Sequence, residues 1–519
     1  MSPSDRETVR PAREGRSLVG RDAGRSALNA VHTGQRRVRP IHSGAGLPGT
    51  LAGTLACLLA LLAAGSAGCA SYTTRLAELR PRVASAEWEA ALAEVDAQGG
   101  AGDVLYHLER GALLHYAGRP RESNAELERA LQRNEDLYTI SLSERGLTFL
   151  LNDELEDYRA SQLEVDYIHY FRLLNFIALA EPHAAAVEAR RLAQRLAEGL
   201  DRDERQGAGD DAFLEALAGW VLASHGEPNA ALIAYRRAYA AWQAPRSACQ
   251  GAPPDWIAAE LVAAARQSGI PLGAIGADTL RALAGPAAPA EETGSILLLI
   301  ERGWTPRLVS RHVRIPIFVG DPEWHGEAAA VTAGQTLAAR YHRHARHGRW
   351  AAEPYEIDYF LDVALPIWAD EPAARFSPVT IACEPLGVAA RSCAAASARV
   401  ADLACRARAE FAATAPSRWA KTIARAFLKY AGTRAAERHL GRWAGVLANV
   451  AGVASEKADT RAWLLLPSEV RAARLELPAG RWRIVVGGAG EGGVVTDTLD
   501  VRAGEKSVRA VRLFPRAAR

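Results

Sequence analysis

A helical periodicity runs through the chain from about residue 77 to residue 284. Apolar side chains recur there at three- and four-residue spacings, alanine is abundant, and the interruptions fall at Gly or Pro. This spacing places the apolar residues of each segment on one face of a helix, and such faces must pack against one another. We therefore expect residues 77–284 to form a stack of α-helices joined by turns.

Two stretches within this region share a common frame. In the first, Gly111 precedes Gly118 by seven residues, and Leu127 and Ala130 follow Gly118 at nine and twelve residues. The second stretch holds Gly219, Gly226, Tyr235 and Ala238 in the corresponding places. A third copy around residues 170–194 is weaker, with Glu181 where the turn glycine is expected.

This frame resembles the tetratricopeptide repeat, in which small residues let two antiparallel helices approach and a large apolar residue fills the gap between units. Gly118 and Gly226 are 108 residues apart, which predicts three repeats of about 36. The alternative is an alanine-rich helical bundle. Both interpretations predict a stack of helices whose concave face can bind something extended.

The pattern changes near Gly285. A linker rich in Pro, Ala and Glu (285–294) leads into two apolar stretches, which predict strands on either side of a turn at Gly303 and Pro306. From Glu356 to Trp368, apolar and polar residues alternate, as in a strand with one buried face. We take residues 295–519 as one α+β domain.

Helical character returns over about 394–454, with a predicted break near Pro416. The chain then closes with short apolar segments between Pro-Ala-Gly and Gly-Glu turns, which predict a small antiparallel sheet or sandwich. The predicted fold class is therefore α+β. A tetratricopeptide-like helical domain over 77–284 precedes a mixed α/β domain that ends in a small antiparallel β-sheet.

The first 70 residues predict export and lipid anchoring. An apolar run from Leu51 to Ala64 suits the hydrophobic region of a signal peptide and is shorter than a membrane span. Small residues follow it and end at Cys69, which resembles the lipobox of bacterial lipoproteins, although Ser66 stands where an aliphatic residue is usual. We expect 1–68 to be removed, Cys69 to be lipidated and 69–76 to be a tether; the alternative is an uncleaved or differently cleaved anchor.

Charge and cysteine content agree with an exported protein. The formal net charge is +2, but residues 1–68 carry +5, so the remainder carries −3 and nothing indicates a nucleic-acid partner. Beyond Cys69, the even number of cysteines suits an oxidising compartment; they are Cys249, Cys383, Cys393 and Cys405. Three pairings are possible, and we favour Cys383 with Cys393, which bracket a loop containing Pro and Gly.

A dense polar cluster lies between residues 152 and 175. Its members form a candidate binding groove: Asn152, Asp153, Glu164, Asp166, His169, Tyr170 and Asn175. On a helix that starts near Gln162, Asp166, His169 and Tyr170 share a face, because residues three and four apart are neighbours. The alternative is that the Asn and Asp residues cap helices while His and Tyr form hydrogen bonds between helices.

A second candidate is a basic patch. It contains Arg340, Arg343, Arg346 and Arg349, with His342, His344 and His347 between them. Imidazoles at this spacing can bind zinc or copper, but no carboxylate or thiol is near enough in sequence to complete the shell, and the arginines repel a cation. We therefore expect a solvated basic segment that can contact anionic headgroups or glycans, and no bound metal.

The motifs of the common catalytic sites are absent from the sequence. It has no G-x-S-x-G elbow, no phosphate-binding G-x-x-x-x-G-K-[ST] loop and no H-E-x-x-H. The glycine-rich stretch 487–493 joins two predicted strands and is typical of a hairpin turn. We accordingly expect a protein that is not an enzyme and needs no cofactor.

Several segments together resemble a group of uncharacterised proteobacterial lipoproteins with tetratricopeptide-like helices. The resemblance rests on residues 106–118, 150–153, 168–191 and 458–480. It implies an envelope location, no known catalytic residues and an association with lipoproteins that activate peptidoglycan synthases. Because Ala70 follows Cys69 where Asp would favour retention in the inner membrane, we expect anchoring to the periplasmic side of the outer membrane.

The leading functional hypothesis is an adaptor. A lipid-anchored helical scaffold facing the periplasm would bind an envelope protein, in cell-wall synthesis or outer-membrane maintenance. The alternative hypothesis is a protein that binds peptidoglycan, another glycan or lipid.

Overall fold

A computed structural model of the chain describes residues 72–76, 78–98, 100, 102–139, 157–201, 211–244, 249, 251–271, 292–318, 357–370, 376, 378–387, 390–440, 458–488 and 494–514. In these ranges the protein is a mixed α+β structure, as the sequence predicts. The predicted linker 285–294 lies mostly outside them, and the strand that follows it already begins at Thr293.

Helices occupy the described residues before that strand. They are α1 (Tyr72–Arg75), α2 (Leu79–Ala84), α3 (Trp88–Ala97), α4 (Val104–Tyr116), α5 (Pro120–Thr139), α6 (Gln162–Ala178), α7 (Pro182–Asp201), α8 (Ala212–Ser224), α9 (Pro228–Gln243) and α10 (Trp256–Gln267). Local chemistry fixes their starts. Asp103 and Asp211 accept amide hydrogen bonds at the start of α4 and α8, and proline opens α5, α7 and α9, where its missing N–H costs nothing.

The same turn ends several of these helices. Its residue with positive φ is Ala86, Gly118, Ala180, Gly226 or Gly269. In the turn after α6, Glu181 donates its amide to the carbonyl of Phe176 and Ala180 donates to that of Ile177, the pattern of a Schellman motif. The position that corresponds to the turn glycine is therefore Ala180, and the assignment of Glu181 to it was wrong by one residue.

The turns do not follow a 36-residue period. In the described part of the chain, a single turn of this kind, at Ala180, lies between Gly118 and Gly226, and the two intervals are 62 and 46 residues. A 36-residue period would also require a turn at residue 190, which lies inside α7. The expectation of three repeats of about 36 residues is corrected to helical hairpins of varied spacing.

Small residues allow the helices of a hairpin to approach closely. A Cβ atom on Gly111 would lie 2.6 Å from Leu127, and one on Gly219 would lie 2.8 Å from the ring of Tyr235. Both contacts join the pairs that the sequence frame singles out. In the middle hairpin the same places hold Leu173 and Ala189, both fully buried. In this hairpin the large residue, Leu173, lies on the first helix and the small residue, Ala189, lies on the second, which is the reverse of the other two hairpins.

The strands form three sheets. Their bounds are β1 (Thr293–Arg302), β2 (Leu308–Phe318), β3 (Ile357–Trp368), β4 (Val379–Leu386), β5 (Cys393–Ala395), β6 (Ala398–Asp402), β7 (Glu469–Pro478), β8 (Gly480–Gly488), β9 (Val494–Val501) and β10 (Lys506–Leu513). The central sheet has the order β10-β1-β7-β6, the outer sheet has the order β5-β4-β8-β9, and β2 pairs with β3 alone.

The predicted strands on either side of Gly303 are confirmed as β1 and β2, which belong to different sheets: β1 pairs with β7 and β10, and β2 pairs with β3. The prediction that the closing strands make one antiparallel sheet is wrong. Strands β8 and β9 join the antiparallel outer sheet, whereas β10 returns to the central sheet and pairs with β1 in parallel.

The central sheet is covered on both faces. On β1, Ile296, Leu298 and Ile300 point into a core shared with the outer sheet, and Leu297 and Leu299 point into the core of the helices. This alternation follows from the two-residue period of a strand. The layers are therefore helices, central sheet and outer sheet, and the two halves that the sequence predicts as separate domains share one hydrophobic core.

A long helix, α11 (Leu403–Leu440), packs against the β2–β3 pair through Ile423 and Phe427. It differs from the predicted helix over 394–454 in two ways. Residues 398–402 form strand β6, and α11 continues through Pro416 without the expected break. Disulfides join Cys383 to Cys393, the favoured pair, and Cys249 to Cys405 near the start of α11.

Candidate functional site

Several residues singled out in the sequence lie outside the described residues. They are Cys69, Asn152, Asp153, the arginines 340, 343, 346 and 349, and the three histidines between those arginines. Among the residues that the structure does describe, no helix is long and apolar enough to cross a membrane. No cluster of His, Cys, Asp or Glu in those same ranges is arranged to hold a metal ion.

The rest of the polar cluster lies on α6, which begins at Gln162 as expected. All five side chains are buried, and each is held by a different neighbour. His169 Nδ1 lies 2.7 Å from Glu188 of α7, Tyr170 donates its hydroxyl to Glu301 of β1 at 2.8 Å, and Asp166 accepts from Arg195 at 2.9 Å. The structure therefore does not bring Asp166, His169 and Tyr170 together around an open groove.

Asn175 has a similar place at the other end of α6. Its amide nitrogen donates to Ser123 and to Asn124 of α5, and its oxygen lies 2.7 Å from His115 of α4. These contacts join three helices. The buried polar groups of α6 act as hydrogen-bond links between elements, which is the alternative interpretation of this cluster.

The inner face of the helices holds a segment of the same chain. Residues 458–466 have no regular secondary structure and run past α2, α4 and α6, with Trp463 only 1% exposed. The ring of Trp463 packs against Phe171 of α6 at a centroid distance of 5.5 Å. We call residues 458–466 the inner segment.

Side chains of the helices satisfy the backbone of the inner segment. Glu164 accepts the amide of Trp463 at 2.8 Å, and Glu109 accepts the amide of Leu464 at 2.7 Å. Arg80 donates to the carbonyl of Leu464 at 2.9 Å. A buried amide or carbonyl must find a partner, and here side chains of three helices take the place of a neighbouring strand.

Glu109 is fully buried, and only one of its carboxylate oxygens has partners. Oε1 accepts the amide of Leu464 and the hydroxyl of Tyr72, whereas Oε2 has no hydrogen-bond partner in the described structure. Burial raises the pKa of Glu109 to about 8, against the lowering effect of the Leu464 amide and of the nearby Arg80. The side chain is therefore largely protonated at neutral pH.

A pocket of about 280 Å³ lies beside the inner segment, where α6 begins. Its walls come from residues 157–164, from the ends of β2 and β3, from one face of α11 and from the inner segment. The face of α11 is continuous because Glu410, Thr414, Arg418 and Lys421 follow one another at three- and four-residue spacings. Of the predicted groove residues that the structure describes, Glu164 alone lines this pocket.

Aromatic and apolar side chains form much of the lining. Trp368 of β3 and Phe411 of α11 meet edge to face, with ring centroids 5.2 Å apart. Leu308 and Pro366 extend this surface on the β2–β3 pair, and Tyr158 lies on the side of α6. The lining therefore offers apolar contact to part of a ligand.

Two carboxylates of the lining, Glu164 and Glu410, are occupied by internal donors, whereas Asp157 is exposed. Glu164 accepts the hydroxyl of Tyr158 and the amides of Ser161 and Trp463. Glu410 accepts the amides of Gln162 and Leu163, and so caps α6 from another helix. Burial raises the pKa of Glu410, while these two amides lower it.

A salt bridge marks the side of the pocket formed by the inner segment. Arg461 donates to both carboxylate oxygens of Asp459, at 2.8 and 3.0 Å, and lies 5.6 Å from the ring centroid of Tyr158. Its side chain is 10% exposed. Burial raises the pKa of Tyr158 well above its usual value, and Glu164 raises it further, so the phenol stays protonated. Because Arg461 and Asp459 neutralise each other, this side carries little net charge.

Arg418 is the exposed cation of the pocket. Its guanidinium lies 5.9 Å from the ring centroid of Phe411, and within the described part of the chain it pairs with no carboxylate. Because Glu164, Glu410 and Asp459 accept from other donors, Asp157 is the exposed carboxylate of the lining, and no ion pair among the described residues joins it to Arg418. The arrangement can hold a small ligand that combines an apolar part with an anionic group.

Comparison with protein-family models, with curated proteins and with solved structures gives no match for this chain.

Sequence reasoning missed Glu109 and Glu410, of which only Glu109 left a signal. Glu109 lies four residues after Leu105 and four before Leu113, on a helix face that is otherwise apolar, and an acid in such a place indicates a buried partner. Ser161 and Glu164 have the spacing of a capping box, and the structure has both of its hydrogen bonds. No comparable local signal links Glu410 to α6, since 248 residues separate it from Gln162.

Proposed function

We propose that this protein is a lipid-anchored scaffold that faces the periplasm and binds another protein of the cell envelope, in cell-wall synthesis or outer-membrane maintenance. The observation that carries the proposal is the way in which α2, α4 and α6 hold the inner segment. The helices grip an extended stretch of chain through its backbone and through one large aromatic side chain, which is how helical-repeat scaffolds recognise peptides.

The proposal includes a tetratricopeptide-like origin for the helices. The shared turns and the close approaches at Gly111 and Gly219 support it. Because the inner face already holds the inner segment, the partner must be recognised elsewhere. The pocket beside α6 is a candidate, since it combines aromatic walls with the exposed guanidinium of Arg418.

The test is capture of the partner from intact cells. Membranes are crosslinked, the full chain is recovered by affinity, and the co-purifying proteins are compared with those recovered with an unrelated lipoprotein. We expect a specific envelope protein to be enriched. If no protein is enriched over the unrelated lipoprotein, the scaffold proposal fails.

The anchor has its own test. Replacing Cys69 by Ala removes the thiol that accepts the lipid, so the variant should be released from membranes or remain unprocessed. Cys57→Ala is the matched control, because that cysteine lies in the segment expected to be removed. Unchanged membrane partition and gel mobility of Cys69→Ala would contradict the lipid anchor.

A second candidate function is binding of peptidoglycan, another glycan or lipid. The aromatic side chains Trp368 and Phe411 favour it, because aromatic faces stack on sugars and on acyl chains. Sedimentation of the full chain with purified peptidoglycan or with anionic vesicles tests this candidate. Binding that Trp368→Ala abolishes would support it over the scaffold.

A further inference from the structure

We infer that the pocket beside α6 binds the carboxy-terminal end of a peptide chain, with the terminal carboxylate at Arg418 and the last apolar side chain against Trp368 and Phe411. The inference rests on the proposed scaffold function, because it names the part of the envelope partner that is recognised. The size, the charge and the lining of the pocket support it independently.

The size of the pocket favours the end of a chain. Its volume of about 280 Å³ is at the low end of the range for small-molecule sites, about 300–1,000 Å³. One or two residues fill such a space, whereas a helix, a strand pair or a complete lipid does not fit. A chain terminus can enter such a pocket without the rest of the partner having to follow.

The charge of the pocket favours a single carboxylate. Glu164 and Glu410 are occupied by internal donors, and Asp459 is paired with Arg461, so these three do not compete for Arg418. Asp157 is the remaining acid of the lining and is exposed, and Lys421 adds a second positive charge on the same face of α11 as Arg418. A guanidinium presents two parallel N–H groups that match a carboxylate, and this geometry distinguishes an acid from an amide.

The lining favours an apolar side chain next to that carboxylate. Phe411 precedes Arg418 by seven residues, which is about two helical turns, so both point from the same face of α11. Trp368 meets Phe411 edge to face, and Leu308 continues the surface. A residue that sits with its carboxylate at Arg418 therefore places its side chain against these rings.

Isothermal titration calorimetry with a matched pair of peptides tests the inference. The full chain, purified in detergent, is titrated with acetyl-Ala-Leu-Leu as the free acid and as the carboxamide. We expect the acid to bind about tenfold more tightly, which corresponds to one charge-assisted hydrogen-bonded pair. Equal affinities for the two peptides, or no binding of either, would overturn the inference.

Variants of Arg418 test whether the terminal carboxylate of the peptide binds there. Arg418→Gln should weaken binding of the acid about tenfold and leave the amide unchanged, and Arg418→Lys should recover part of the loss because it keeps the charge. Arg418 is exposed, so the folded state should tolerate both changes. Arg502→Gln is the control, since that side chain is 80% exposed and does not line the pocket. An acid that binds Arg418→Gln as well as it binds the natural chain would refute the assignment.

Competing ligands separate this inference from the second candidate function. If an N-acetylglucosamine oligomer or a phosphatidylglycerol vesicle displaces the acid peptide and binds more tightly, the pocket belongs to a glycan or a lipid and the inference is wrong.

The capture experiment separates it from the scaffold proposal. Capture of a partner that Arg418→Gln leaves unchanged would overturn the inference alone. Peptide binding without any captured partner would leave the inference standing and contradict the scaffold.

Discussion

Glu109 should make the stability of the fold depend on pH. Its carboxyl is fully buried against the inner segment, and burial raises its pKa from 4.5 to about 8. In the unfolded chain the carboxyl regains its ordinary pKa. Between these two values the folded state therefore binds a proton that the unfolded state has released.

The sign of the effect follows from this difference. Wherever the folded state binds more protons than the unfolded state, the free energy of unfolding falls as pH rises. The contribution of Glu109 is present in full below pH 4.5 and is lost as pH rises towards 8. Between pH 4.5 and pH 7 the loss amounts to about 3 kcal/mol.

Glu109→Gln removes this dependence and keeps the size of the side chain. Its amide oxygen can still accept the hydrogen bond from Leu464, which measures 2.7 Å in the natural chain. The free energy of unfolding of the variant, measured relative to the natural chain, should therefore rise by about 3 kcal/mol from pH 4.5 to pH 7. Urea unfolding followed by tryptophan fluorescence at both pH values measures it.

Glu89→Gln serves as the control, because that side chain is 86% exposed and its substitution should cost the same at both pH values. A difference between Glu109→Gln and the natural chain that does not change with pH would refute the reasoning.

Further predictions concern packing, disulfides and a buried ion pair. Gly219→Ala should destabilise the chain by about 1–2 kcal/mol in thermal or urea unfolding, because the new Cβ would lie 2.8 Å from the ring of Tyr235 and this overlap exceeds the gain of about 1 kcal/mol in helix propensity. Cys405→Ser opens a bridge that spans 156 residues and should cost about 5 kcal/mol, against about 3 kcal/mol for Cys383→Ser, whose bridge spans 10 residues; urea unfolding without reductant compares them. Glu188→Gln removes the buried counter-charge of Arg172, which keeps the partly exposed Glu128 as a partner, and should cost about 2 kcal/mol in the same assay; a loss below about 0.5 kcal/mol would contradict this.

Local periodicity predicts the elements of this fold better than their pairing. The start of α6 at Gln162 and the buried face of β3 follow from spacing alone, because a helix and a strand each impose their period on the residues that they bury. Strand β10 pairs with β1 across more than 200 residues of chain, and no feature in the sequence of either strand identifies the other as its partner. Pairing depends on which faces remain uncovered after the helices have packed.

The errors over residues 394–416 have a similar cause. Strand β6 is rich in alanine, which favours helix, but its edge is held by β7 in the central sheet, so tertiary pairing overrides propensity. Pro416 was expected to break the long helix because it lacks an amide hydrogen and crowds the preceding turn. The helix continues through it, packed against the β2–β3 pair from Ala420 onward.

The inner segment explains why the candidate site could be recognised only in part. Asp459 and Arg461 stand out as a charged pair in the sequence. The residue that holds Trp463 comes from α6, 299 positions earlier, and the one that holds Leu464 comes from α4, 355 positions earlier. Because each contact comes from a different helix, a shift of one hairpin relative to the next would break the set. The segment thus fixes the relative positions of α2, α4 and α6, and with them the wall of the pocket at the start of α6.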